Sequence, residues 1–248
     1  MKERIFLAGA GGAIGRVLGP LLVQAGYEVH GSTRRAARAG TLKAQGVVPV
    51  VVDVFDADAL KWALLRVAPT TVIHQLTDLP PGLSQTNMDE ALLRNARVRD
   101  EGTRNLVAAA LAAGAGRMVA QSIAWAYAPG KEGVPHVEED PLDLKAQGRR
   151  LTSVRGVAAL EEAVLHTPPL KGTVLRYGHL YGPGTGFDAP RGDSPLHVEA
   201  AAFAALLALQ RSPGGVFNIT EENAHVSSAR ARRVLGWQPE RCVAGMCA

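Results

Sequence analysis

The chain has 248 residues, 47% hydrophobic and 20% charged, with a mean hydropathy of +0.04, enough apolar material to bury a full core without a disulfide or metal staple. No apolar run approaches the roughly 20 residues that span a bilayer, and Met1-Lys2-Glu3-Arg4 lacks a signal-type apolar segment, so a cytoplasmic protein with no membrane partner is expected. A net charge of +4 and a pI of about 9.3 do not make a nucleic-acid binder: the basic residues fall in separate short groups, and an aromatic content of 5% offers no stacking platform.

The first element is a strand over Ile5-Phe6-Leu7 that breaks into Ala8-Gly9-Ala10-Gly11-Gly12-Ala13-Ile14-Gly15 and then a helix. Glycines let a backbone turn tightly and lie against a pyrophosphate, whose charge meets unpaired N–H groups and the positive end of the helix dipole. Gly9, Gly12 and Gly15 fit G-x-x-G-x-x-G, whereas G-x-G-x-x-G fails because Ile14 occupies its third glycine position. A strand–turn–helix unit of this kind predicts a dinucleotide site.

Strand-like and helix-like segments then alternate, which predicts an α/β fold with a doubly wound parallel sheet. Strands are expected at 27–33, 47–53 and 70–76, with Asp56 capping a helix that runs to about Val67. A Pro-Pro-Gly loop at 80–82 leads to one long helical pattern from about Met88 to Ala113. Strand five is expected at 117–122, a helix around 154–166, strand six at 172–177, and a packing helix over 199–209. The only cysteines, Cys242 and Cys247, lie on the tail and read as reduced thiols, and no metal site is expected.

Five features carry a resemblance: the glycine spacing, the pair Asp53-Val54, Glu101-Gly102-Thr103-Arg104-Asn105-Leu106, the run Leu175-Arg176-Tyr177-Gly178-His179-Leu180-Tyr181-Gly182-Pro183-Gly184, and Leu235-Gly236-Trp237-Gln238-Pro239. In this order they resemble the short-chain dehydrogenase/reductase superfamily, closest to its extended branch of epimerases and dehydratases. The resemblance implies a Rossmann fold over 1–248, with 178–248 adding a C-terminal substrate-binding region, and this region is reduced here because only the short loop Thr185–Pro195 stands where relatives carry a long insertion. It also implies a small-molecule substrate, with a sugar-like one and a homodimer left open.

Cofactor type follows from the end of strand two, where an acid would accept hydrogen bonds from the ribose 2′-OH of NAD and a cation would meet the 2′-phosphate of NADP. Ser32, Thr33 and Arg34 supply hydroxyls and a guanidinium and no acid, which favours NADP, with NAD as the alternative. By resemblance Asp53 and Val54 meet the adenine. Gln75, Leu76 and Thr77, at the carboxyl end of strand four, are expected beside the ribose and pyrophosphate.

The resemblance also implies a Tyr-x-x-x-Lys pair on one helix face, and here the pattern fails. Registering the helix on Glu161 places Ser153 at the tyrosine position and Val157 at the lysine position, and neither side chain does that chemistry. The strand-five position that orients substrate holds Ile123, with Ser122 one residue away, and Arg99 stands where many relatives carry asparagine. Tyr127-Ala128-Pro129-Gly130-Lys131 matches the letters, but Pro129-Gly130 interrupts any helix. Ser122 and Tyr127 are the acid–base candidates that remain, and Arg99 and His179 are the further residues expected near the nicotinamide end, with a helix face and a turn as their structural alternatives. Two functions stay open: an NADP-dependent oxidoreductase or epimerase/dehydratase-like enzyme with an altered acid–base set, and a catalytically silent NADP-binding sensor or scaffold.

Overall fold

A computed structural model describes residues 2–80 and 87–240. Its strands are β1 (Arg4–Ala8), β2 (Glu28–Thr33), β3 (Val48–Val51), β4 (Thr71–His74), β5 (Arg117–Ile123), β6 (Lys171–Tyr177), β7 (His179–Tyr181), β8 (Pro195–His197) and β9 (Gly215–Ile219). Seven of them form one parallel sheet in the order β3-β2-β1-β4-β5-β6-β9, and β7 and β8 pair as a separate parallel ribbon. Strands β1 and β4 to β6 are almost wholly buried, as a sheet covered on both faces requires.

One face is packed by α1 (Ala13–Gln24) and α7 (Val198–Arg211), whose Leu18, Leu22, Ala205 and Leu209 join Ile5, Leu7 and Phe217. The other is packed by α3 (Ala57–Val67), α5 (Thr103–Ala112) and α6 (Gly148–Leu165), through Leu60, Leu106, Leu160 and Phe6. Asp56 caps α3, accepting from the Ala59 amide at 3.0 Å. The remaining helices are α2 (Ala39–Ala44), α4 (Met88–Arg97) and α8 (Ala229–Leu235). Strand order reverses between β1 and β4, and at that switch point the carboxyl ends of the strands open a cleft, where sheets of this kind bind ligands.

The structure departs from the sequence reading in three places. The helical pattern at 88–113 is two helices joined by a π turn, Val98–Gly102, whose extra residue leaves the apolar spacing on either side intact. Helix α6 begins at Gly148, because Arg149 pairs with Asp89 and Arg150 with Asp143 across its first turn. The C-terminal region supplies a seventh strand to the main sheet, β9. Cys242 and Cys247, and positions 81 and 82 of the proline-rich loop, lie outside the described residues. Among the described residues no helix is long and apolar enough to cross a membrane.

Candidate active site

The cleft holds about 470 Å³ and runs across the carboxyl ends of β2, β1, β4, β5 and β6. At its centre the chain leaves β1 through Gly9, whose φ of +86° belongs to the left-handed region. A Cβ there would lie 2.6 Å from the Gln75 carbonyl oxygen, so only glycine lets this turn meet the end of β4. A Cβ on Gly15 would collide with the Gly9 carbonyl, so Gly15 seats α1 beneath the turn. Gly12 is the N-cap, and no side chain bonds the first-turn amides of α1, which also carries no acid there. Those amides and the helix dipole form a cradle for an anion.

The basic end lies past β2. Ser32, Thr33, Arg34, Arg35 and Arg38 all line the cleft, with Arg16 across from them. Arg34 is already engaged, pairing with Asp78 at 3.0 Å, a partner distant in sequence. That hydrogen bond holds its guanidinium above the usual range. Arg38 donates to the Gly11 carbonyl at 3.0 Å, and burial together with Arg35, Arg16 and Arg34 lowers its pKa. Asp53 accepts from the Phe55 amide at 3.0 Å, which shapes the turn after β3, and with Val54 it lines the same end. Gln75, Leu76 and Thr77 line the middle, where Gln75 Oε1 is buried with no hydrogen-bond partner among the described residues.

At the opposite end stand Ser122, Ile123, Trp125, Tyr177, His179 and Phe187, with Arg191 above. Trp125 and His179 stack with centroids 5.7 Å apart, and Arg191 covers the Phe187 ring at 3.9 Å. Burial, then Arg191, lowers the His179 pKa. Trp125 and Phe187 escaped the sequence reading because they sit in separate loops with no shared motif, whereas His179 lines the cleft as the sequence leads one to expect.

The acid–base candidates are engaged elsewhere. Ser122 is fully buried, and its hydroxyl donates to Glu161 Oε1 at 2.7 Å. Tyr127, expected beside the reacting end, does not line the cleft. Its hydroxyl donates to Asn218 Oδ1 at 2.7 Å and accepts from Arg176 at 2.8 Å, its ring stacks on His136, and burial raises its pKa. No local pattern announces this placement, because Asn218 lies on β9, 91 residues away. Ser153 and Val157 are buried on α6, which contains neither tyrosine nor lysine along its length. Ile14 and Gly15 are buried behind the cleft wall.

Comparison with known proteins places these features in a family. The sequence profile of the NAD dependent epimerase/dehydratase family matches residues 5–202. The chain is 39% identical over 262 aligned positions to a 3-diazoavenalumate denitrifying reductase from Streptomyces sp, covering 96% of this chain and 83% of that protein. In fold it is similar to the UDP-glucose 4-epimerase of Thermus thermophilus in complex with NAD, with a TM-score of 0.76 and 20% identity over 96% of this chain and 94% of that one. The UDP-glucose 4-epimerase of Thermotoga maritima with UDP-glucose gives a TM-score of 0.74 at 19% identity, with 96% and 94% covered. With a profile match spanning most of the sheet and a curated relative aligned along nearly its whole length, the chain belongs to the NAD-dependent epimerase/dehydratase family.

Proposed function

We propose that the protein is an NADP-dependent reductase whose substrate is a diazo carboxylate and whose reaction releases dinitrogen. The observation that carries this reading is the pairing of a full dinucleotide cleft with a helix α6 that offers Ser153 and Val157 and no titratable group at those positions. A carbonyl reduction needs a proton donor beside the oxygen, and a tyrosine or lysine ordinarily supplies it. The name of the relative, a denitrifying reductase acting on 3-diazoavenalumate, points to chemistry without that need.

The cleft fits the cofactor on three counts: the uncapped amides of α1, the orphaned Gln75 Oε1, and the cluster of Arg34, Arg35 and Arg38. The α1 amides would hold the pyrophosphate. Ser32, Thr33 and the arginines would take the 2′-phosphate, Asp53 and Val54 the adenine, and Leu76 and Thr77 the ribose. When bound, the reduced dinucleotide supplies a hydride. At the substrate a carbon–nitrogen bond breaks, a carbon–hydrogen bond forms and N₂ departs. A diazonium cation plus hydride balances to product and N₂ with no proton consumed. The side chains therefore need only orient the substrate and exclude water, a task suited to the wall of Trp125, His179 and Phe187, and residues 178–248 contribute the substrate side.

The test is turnover of NADPH with an arenediazonium carboxylate, following cofactor oxidation and N₂ release together. Equal amounts of both, with kcat/KM flat between about pH 6 and 9, are expected. Tight NADPH binding without turnover would favour the second reading, a silent NADP-binding sensor, which the missing tyrosine and lysine also suit.

A further inference from the structure

Two arginines are buried among the described residues, and they differ in what they hold. Arg176 is paired with Glu161. Arg99 lines the cleft at 5% exposure, and its side chain makes no hydrogen bond or ion pair among the described residues. It sits on the π turn between α4 and α5, and this turn packs against α6. The acid that acts on it is Glu161, whose carboxylate oxygens are already taken by Ser122 and Arg176. Burial brings the Arg99 pKa down to about 10, still well above neutrality, so the side chain is a buried cation whose donors are unspent. Burying a charge without a counter-ion is costly, and a chain keeps such a group where a ligand supplies the counter-ion.

Position decides which ligand. The cluster suited to the 2′-phosphate lies past β2, whereas Arg99 sits on the turn packed against α6 and feels the charge of Glu161, the acid that Ser122 of β5 bonds, which puts it toward the opposite half of the cleft. We propose that Arg99 is the anion anchor of the substrate half, its guanidinium fork receiving the carboxylate of the acid that is reduced. The planar fork matches a carboxylate with two parallel hydrogen bonds, which fixes orientation as well as position. Gripped at that end, a flat substrate extends toward Trp125 and His179. This inference rests on the reductase reading for the substrate's identity, and its test needs no turnover.

The experiment is calorimetry on the NADP⁺ complex of the full chain, with benzoate and neutral benzamide as probes. The parent protein binds benzoate at least about tenfold more tightly than benzamide, Arg99→Gln removes that preference, and Arg99→Lys, which keeps the charge and loses the fork, retains part of it. NADP⁺ affinity stays within about twofold in both variants. Unliganded Arg99→Gln melts no lower than the parent, because an uncompensated buried charge has been removed, whereas a merely structural arginine would cost stability. No benzoate preference in the parent, a preference that persists in Arg99→Gln, or a tenfold loss of NADP⁺ affinity each overturns the assignment. Failure to reduce any diazo carboxylate would contradict the reductase reading and leave this result standing.

Discussion

Ser122 donates its hydroxyl to Glu161 Oε1 at 2.7 Å, which binds the end of β5 to an acid that also receives Arg176 in a fork of 2.9 and 2.7 Å. Burial alone would lower the Arg176 pKa, and Glu161 more than offsets it, which keeps the guanidinium charged. Both partners are under a tenth exposed. Removing one member of such a pair leaves the other charge buried and uncompensated, so Glu161→Ala should cost about 3–5 kcal/mol in denaturant unfolding. A loss under about 1 kcal/mol would mean that the pair does not brace the end of β5.

Tyr127→Phe follows from the same network. The variant removes a hydroxyl held between Asn218 and Arg176, and the ring remains stacked on His136. Stability should fall by about 1–3 kcal/mol, the range for hydrogen bonds that involve a charged group or leave one unsatisfied. Turnover per folded molecule should stay within a few-fold. A loss of about 10²-fold or more, the scale of a missing general acid, would place the phenol in the chemistry after all.

Cofactor choice turns on Arg34 and Asp78. The Asp78 carboxylate pairs at 3.0 Å with the guanidinium that a 2′-phosphate would meet. With Arg34, Arg35 and Arg38 at that end, NADPH should bind more tightly than NADH, Arg34→Ala should reduce the difference about tenfold or more, and Asp78→Asn, which removes the competing carboxylate, should increase it. Calorimetry with both cofactors checks all three, and equal affinities in the parent protein would refute the NADP assignment.

His74 gives a pH signature. It is fully buried, its Nδ1 accepts from the Leu76 amide at 3.1 Å, and its Nε2 therefore carries the proton shared with Thr103 at 3.0 Å. Burial, aided by Arg99, holds its pKa down at about 4. The folded form binds this proton less readily than the unfolded chain, whose value is near 6.5. Its contribution to stability is thus complete above about pH 6.5 and lost as pH falls toward 4. Denaturant midpoints measured across that window should decline in the parent protein and decline less in His74→Gln.

The glycine turn, the parallel α/β sheet and the basic end of the cleft were legible because they depend on local rules: positive φ at Gly9, alternation of apolar strands and helices, and the absence of an acid after β2. What escaped depends on partners far apart in sequence. Nothing near Tyr127 announces Asn218, and nothing near Arg34 announces Asp78. The burial of Arg99 was hidden differently, since one extra residue in a π turn changes which side chain faces the cleft without disturbing the apolar periodicity before or after it. The aromatic wall opposite the basic end brings Trp125 and Phe187 to His179 from loop segments that share no spacing with it.

The most direct test of the reductase assignment is label transfer. NADPH carrying deuterium at the transferring position of its nicotinamide C4 is incubated with the protein and an arenediazonium carboxylate, and the product is read by mass spectrometry and NMR. The predicted result is one deuterium at the carbon that carried nitrogen, with one N₂ released per NADPH consumed. Product whose new hydrogen comes from solvent, or cofactor consumed without N₂, would contradict it.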